Sequence, residues 1–278
     1  MPLKAESPAA LLDFAEQTAR KAGEKLVAIS SRRRKIEQKG IFDLVTDGDR
    51  ASERIVARAI AETYPHHGLL AEEGSSRPAA IGDAAGETIW VVDPLDGTTN
   101  YAHRFPYYCV SIACLRDGEP VAGVVFDPVR DEMFSAHAGV AATMNGRAIS
   151  VSKIATLEGS LLATGFPYDR RTTRHNNFDH HEAFTMASGG VRRAGAAALD
   201  ICYVACGRLD GFWELSLKPW DVAAAAFIAT RAGGRATDFG GRRFDASGKT
   251  TVVSNGRIHG AMIRLIAKTA RIGEDRAR

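Results

Sequence analysis

Apolar residues recur at helical spacing over the first thirty positions: Leu11, Ala15, Ala19, Ala22, Leu26 and Ile29 share one face. Ser7-Pro8 supplies the cap and the first-turn proline that start such a helix. Lys39 to Gly48 breaks the pattern and reads as a loop with two glycines. Thr46-Asp47-Gly48-Asp49 has the form of a capping box opening a second helix. That helix turns Ile55, Val56, Ala59 and Ile60 inward and stops before Pro65. Leu69-Leu70-Ala71 is a short strand ending on Glu72-Glu73, and Ser76 to Glu87 is small, polar and glycine-bearing, a surface loop. Ile89-Trp90-Val91-Val92 then has no polar face, so it reads as a buried strand. Asp93 ends it, held extended by Pro94.

From Tyr107 to Ser150 the period changes to two, with turns at Asp117-Gly118, Asp127-Pro128 and Asn145-Gly146. This is an antiparallel meander continuing the sheet that holds Trp90–Asp93. After Ser150 the style becomes α/β. Strands are expected at Leu161–Thr164, Gly211–Glu214 and Thr251–Val253, and helices at Asn176–Ala187, Ala196–Gly207, Val222–Ala232 and Ile258–Ala270. Glu274 to Arg278 is expected to fray. Residues 1–150 are thus a helix pair plus an antiparallel sheet and 151–278 an α/β subdomain, together one compact unit.

The composition adds bounds. Among 278 residues, 45% are hydrophobic, enough for a packed core, and the net charge of +3 comes from nearly balanced acids and bases. That balance does not imply nucleic acid. The one basic cluster, Arg32-Arg33-Arg34-Lys35, follows an amphipathic helix and reads as a solvated helix end. Cys109, Cys114, Cys202 and Cys206 form no C-x-x-C and read as small buried residues in a reducing compartment. Lys4, Glu6 and Asp13 stand where a signal peptide would need an apolar core, and no run approaches a membrane span. A cytoplasmic protein is expected.

The chemistry concentrates in Asp93-Pro94-Leu95-Asp96-Gly97-Thr98-Thr99-Asn100. Asp96 can swing toward the point where Asp93 ends its strand, and Gly97, Thr98 and Thr99 free backbone N–H groups for an anion at a helix start. Hard oxygen donors beside such a nest suit divalent cations and a phosphate. Asp-Pro and Asp-Gly are also ordinary turn dipeptides, and that plain reading stands beside the first. Trp220-Asp221-Val222-Ala223-Ala224 has two readings as well: a ligand at a helix start, or an N-cap beside a packed tryptophan. His66-His67 and His180-His181 lack the i, i+4 spacing of a zinc helix. No serine or cysteine nucleophile motif, Gly-x-Gly-x-x-Gly or P-loop occurs. Direct attack by water is preferred to a covalent intermediate.

These two segments resemble the two signatures of the inositol monophosphatase family, D-P-[IL]-D-G-T-x-N and W-D-x-A-A. The resemblance covers nearly the whole chain and is closer to bacterial members. It implies the α/β (α+β) sugar-phosphatase fold, a layered αβαβα sandwich. It also implies a homodimer, two or three Mg²⁺ ions, lithium sensitivity, and hydrolysis of inositol monophosphate to inositol and phosphate. Glu72, Asp93 and the carbonyl of Leu95 look like ligands of a first metal. Asp93, Asp96 and Asp221 look like those of a second, with Glu72 also holding a third ion. Asp49 and Thr98 are similar to the pair that orients the attacking water, although Asp49 also reads simply as an N-cap. Gly97, Thr98, Ala197, Glu214 and Asp221 look like substrate contacts, within a small-residue segment Gly195-Ala196-Ala197. Histidinol-phosphate, fructose-1,6-bisphosphate and adenosine 3′,5′-bisphosphate phosphatases share related metal sites, so the metal ligands do not choose the ester. A different class is a binding factor of a transcription complex, for which Arg32–Lys35 and Arg192-Arg193 would be the contacts.

Overall fold

The computed structural model describes residues 6–31, 36–40, 43–77, 87–247 and 249–275. Helix α1 (Pro8–Ser30) begins at N-cap Ser7, whose side chain accepts the Ala10 N–H, and buries the apolar stripe read from the sequence. Strands β1 (Ile36–Gly40) and β2 (Asp43–Thr46) then pair antiparallel. The segment expected to be a loop is therefore mostly a two-stranded ribbon. Its polar run, Glu37-Gln38-Lys39-Gly40, carries no apolar period to announce it. Residues 41–42 and the basic cluster at 32–35 lie outside the described residues. Helix α2 (Asp47–Thr63) follows, then β3 (Gly68–Ala71). A two-residue β4 (Ser76–Arg77) pairs with β3 where a loop was expected; the rest of that loop, residues 78–86, is outside the description.

Strand β5 (Thr88–Asp96) pairs parallel with β3 and antiparallel with β6 (Cys109–Arg116). Between them lies the short helix α3 (Thr98–Ala102). The expected meander continues through β7 (Glu119–Asp127), β8 (Glu132–His137), β9 (Thr143–Met144) and β10 (Arg147–Ala148), giving an eight-stranded sheet of order β10-β9-β8-β7-β6-β5-β3-β4. Beyond it come β11 (Leu161–Thr164), α4 (Phe178–Ala187), β12 (Gly190–Arg192), α5 (Ala197–Ala205), β13 (Gly211–Leu215), α6 (Pro219–Arg231), β14 (Arg235–Thr237), β15 (Thr250–Ser254) and α7 (His259–Asp275). Their strands form a second sheet, β12-β11-β13-β15-β14. α7 runs on to Asp275, through Glu274 where fraying was expected.

Alternation along the strands builds the layers, because successive side chains in a strand face opposite ways. On β5, Trp90 and Val92 pack with Leu11, Leu26, Val56 and Ile60 of α1 and α2. Ile89 and Val91 pack instead with Leu199, Val222 and Ala226 of α5 and α6. In the second sheet, Ala163, Phe212 and Val253 face α5 and α6, whereas Leu162, Trp213 and Val252 face Phe184 of α4 and Met262 of α7. The result is α1/α2, sheet, α5/α6, sheet, α4/α7: the five-layered sandwich. All four cysteines are free, three of them buried. Among the described residues no helix is long and apolar enough to cross a membrane.

Candidate active site

Strand β5 does not end at Asp93. It continues through Pro94 and Leu95 to Asp96, and the register against β6 slips between these points: Asp93 stands opposite Ser111 and Asp96 opposite Cys109. Three steps on β5 thus match two on β6, a one-residue bulge. In an unbroken strand, residues three apart face opposite ways. The extra residue restores the parity, turning Leu95 into the α1/α2 core and Asp96 to the α5/α6 side where Asp93 already points. Proline is tolerated at such a bulge, where no ladder N–H is required of it. The Leu95 N–H donates to Asp93 Oδ1 at 2.9 Å and fixes that carboxylate.

Asp96 meets the start of α5: its Oδ2 accepts the Ala198 N–H at 2.7 Å, and the Ala197 N–H also turns toward it. Asn100 of the same motif ties the two segments, donating to the carbonyls of Tyr107 (2.7 Å) and Ala194 (2.8 Å). Gly97 lies in the left-handed region at φ 95°, and a Cβ there would stand 3.0 Å from the Tyr107 carbonyl oxygen. Glycine is required at the corner.

Asp221 reaches the cleft from α6. The helix begins at Pro219, so Asp221 occupies the third helical position and is not the N-cap weighed from the sequence; its Oδ2 accepts the Lys218 N–H at 2.7 Å. Asp49 is likewise not an N-cap, and the capping box read from Thr46–Asp49 is formed. Thr46 is the N-cap, and Asp49, wholly buried, closes the capping box from N3. Its Oδ2 accepts from the Thr46 N–H (2.7 Å) and the Thr46 hydroxyl (2.6 Å), while Oδ1 accepts from the Thr98 hydroxyl (2.8 Å). The same Thr98 oxygen lies 3.0 Å from the Leu95 carbonyl. With one hydroxyl proton, Thr98 donates to one of the two at a time.

Electrostatics bind these groups into one site. Asp93 is buried, and that burial, with the charges of Glu72, Asp96 and Asp221, raises its pKa well above the carboxylate range. Burial, with Glu72 beside it, pushes Asp96 up to about 7 against the amides of Ala198 and Ala197. Burial and Asp96 push Asp221 to about 7, opposed by Lys218. Burial also raises Asp49, against its hydrogen bonds from Thr46 and Thr98. Among the described residues no three His, Cys, Asp or Glu side chains are drawn together tightly enough to enclose an ion as they stand. The donor set nonetheless fits divalent cations: crowded carboxylates, each raising its neighbours, want positive charge and hard-cation ligation.

Glu214, on β13, is buried and its pKa lies well above normal: burial raises it, Arg193 opposes, and Asp200, Asp221 and Asp96 add to the rise. Its carboxylate lies against Gly165, where a Cβ would overlap it. That contact joins segments far apart in the chain and is not legible in either of them. The structure therefore gathers Glu72, Asp93, Asp96, Asp221 and Glu214 into one electrostatic neighbourhood, with Asp49, Thr98 and the Leu95 carbonyl hydrogen-bonded at its edge.

Known proteins share this arrangement of layers. The model of the inositol monophosphatase family matches residues 7–271. The chain is 41% identical to the "Inositol-1-monophosphatase" of Synechocystis sp., over 93% of this chain and 89% of that protein. It is 43% identical to the "Nus factor SuhB" of Pseudomonas aeruginosa, over 83% of this chain and 86% of that one. The solved inositol monophosphatase of Anabaena (Nostoc) sp. superposes with a TM-score of 0.84 at 40% identity, covering 94% of this chain and 96% of that structure. With a family match that takes in both sheets and every carboxylate of the cleft, the chain belongs to the inositol monophosphatase family.

Proposed function

We propose that the protein hydrolyses inositol monophosphates to inositol and orthophosphate by direct attack of water, using Mg²⁺. The observation that carries the reading is the crowding of Glu72, Asp93, Asp96 and Asp221 at one end of the eight-stranded sheet, where burial and neighbouring carboxylates raise the pKa values of Asp93, Asp96 and Asp221. Glu72, Asp93, Asp96, Asp221 and the Leu95 carbonyl would hold two or three ions. When bound, Mg²⁺ neutralises the phosphate and lowers the pKa of water.

The chain's own groups do the rest. Asp49 accepts the Thr98 hydroxyl proton in a hydrogen bond, which leaves a lone pair of Thr98 Oγ1 to receive a hydrogen bond from the attacking water. The proton leaving water passes along Thr98 toward Asp49, whose raised pKa suits it to accept one. The amides at Gly97 and Thr98 face the phosphate oxygens, and Glu214 accepts a hydroxyl of the polyol. Water's oxygen joins phosphorus as the ester P–O bond breaks, the leaving alkoxide takes a proton from solvent water, and Asp49 then returns to solvent the proton it took from the nucleophile.

Phosphate release over a panel of esters tests this. Inositol monophosphates should be turned over faster than histidinol phosphate, fructose-1,6-bisphosphate or adenosine 3′,5′-bisphosphate, and chelator should stop the reaction. Full turnover in chelator, or none on any inositol phosphate with Mg²⁺, sinks it. The name "Nus factor SuhB" carried by the 43% identical relative supports a second reading, a transcription-complex binding factor. Retention of RNA polymerase on immobilised protein, unaffected by Asp93→Asn, would favour it.

A further inference from the structure

The first two turns of α2 present Asp49, Ser52 and Glu53, spaced i, i+3 and i+4 on one face, and all three are buried. Asp49 already belongs to the chemistry proposed above. Its neighbours are buried too, and each hydrogen-bonds the backbone beside one proposed metal donor.

Ser52 Oγ donates to the Pro94 carbonyl at 2.6 Å. The other end of that same peptide unit, the Leu95 N–H, donates to Asp93 Oδ1. The peptide plane leading into Leu95 is thereby pinned at both edges, and the Leu95 carbonyl beyond it meets the Thr98 hydroxyl at 3.0 Å, so the donor is held from both sides. Glu53 acts likewise on the turn after β3. Its Oε2 accepts the Glu73 N–H at 2.7 Å and its Oε1 the Ser75 N–H at 2.9 Å. The Glu73 amide shares its peptide unit with the Glu72 carbonyl, and the Glu72 N–H donates to Val92 of β5 at 3.3 Å. The backbone of Glu72 is fixed on both sides, once by the sheet and once by α2. A carboxylate accepting two amides is a strong, directional clamp for a turn whose next residue, Gly74, sits at φ 104°.

We propose that Ser52 and Glu53 are positioning residues that hold the Leu95 carbonyl and Glu72 in register as donors to one cation. The assignment rests on the metal reading above. One helix would then align three parts of the site: the Thr98 hydroxyl through Asp49, the Leu95 carbonyl through Ser52, and Glu72 through Glu53. Outer-shell groups of this kind orient the atoms that bind the metal, and their loss costs metal affinity or activity.

The test compares Ser52→Ala and Glu53→Gln with wild type. Gln keeps the shape of Glu53 but has one acceptor oxygen for two amides. Mn²⁺ binding to substrate-free protein, followed by electron paramagnetic resonance, reads the metal directly. Melting in chelator reads the fold, and a Mg²⁺ titration of activity separates metal affinity from kcat. Each variant should bind one Mn²⁺ about 10–100-fold more weakly. Each should need correspondingly more Mg²⁺ for half-maximal rate and regain most of its kcat at saturation. Wild-type Mn²⁺ affinity in both variants, whatever their melting temperature, overturns the assignment as merely structural. Wild-type protein that binds no Mn²⁺ overturns the metal reading and this assignment with it. If Glu53→Gln does not fold, Ser52→Ala decides alone.

Discussion

Asp93 and Glu214 are both buried carboxylates with raised pKa values, yet the molecule holds them by opposite means. Around Asp93 the constraints are hydrogen bonds: the Leu95 amide on the carboxylate itself, the α5 amides on Asp96, the capping box on Asp49. Around Glu214 the decisive constraint is a void, the missing side chain of Gly165 against which the carboxylate lies. A site fixed by directional bonds tolerates little change in charge. One fixed by shape tolerates a change in charge better than a change in volume. On the function proposed, the first end performs the reaction and the second chooses the alcohol.

The largest effect should therefore come from Asp93→Asn. It removes the charge on which Glu72, Asp96 and Asp221 all converge, and phosphate release should fall below detection while the circular dichroism spectrum stays that of wild type. Near-wild-type turnover would dissolve the distinction between the two ends. Asp49→Asn comes next, with kcat expected to drop about 10²–10⁴-fold and KM nearly unchanged. Asn at N3 can still accept the Thr46 N–H, so the melting temperature should move little. Thr46→Ala is the counterpart. It should cost about 0.5–2 kcal/mol of stability, as loss of an N-cap does, with a smaller loss of rate. If the two variants lose rate equally, Asp49 acts only as a cap.

The polyol end should respond in selectivity. Glu214→Gln and Gly165→Ala should each reduce the preference for inositol phosphate over an aryl phosphate, the first by about 1.5–3 kcal/mol in kcat/KM. Gly165→Ala, which forces the carboxylate aside, should exceed it without changing any charge. Equal losses on both esters would show that neither residue discriminates.

The smallest effect is on stability, and its sign follows from the raised pKa values. Asp96 and Asp221 titrate near 7 in the folded protein and near 4 in the unfolded chain. Between these values the folded state holds protons that the unfolded state has released, so metal-free stability falls as pH rises through that window. The loss is complete above about 7. Asp96→Asn should raise the chelator-treated melting temperature at pH 8 by a few degrees, at ~2–4 °C per kcal/mol for a chain of this size. Near pH 4 the difference should vanish. A shift equal at both pH values would assign it to packing.

The sequence discloses the hydrogen-bonded end far better than the shape-determined one, and for a physical reason. Caps, turn dipeptides and strand runs are local, so Ser7-Pro8, the Thr46–Asp49 box and Asp93–Asn100 are visible in a few residues. The bulge that turns Asp96 is also local, but one extra residue leaves no trace in a strand apolar on both faces. Asp221 stands three positions further into its helix than its apolar residues indicate, and Pro219 marks the true first turn. Gly165 beneath Glu214, and Ser52 and Glu53 behind Leu95 and Glu72, depend on contacts between distant segments. Nothing in their immediate neighbours announces them.

The central helical layer has a bearing on how the chain is made. Ile89, Val91, Val125 and Phe134 of the first sheet find their cover in α5 and α6, which leave the ribosome last but for the final strands and helix. At about 5–20 residues per second, the nascent chain carries that apolar face bare for about 5–20 s between Ala136 and Ala229. Chaperones have their opening during this interval, and a fragment ending at Ser150 should bind a hydrophobic dye that the full chain excludes. Substitutions that slow the arrival of α6 would then lower yield in the cell without altering the finished enzyme.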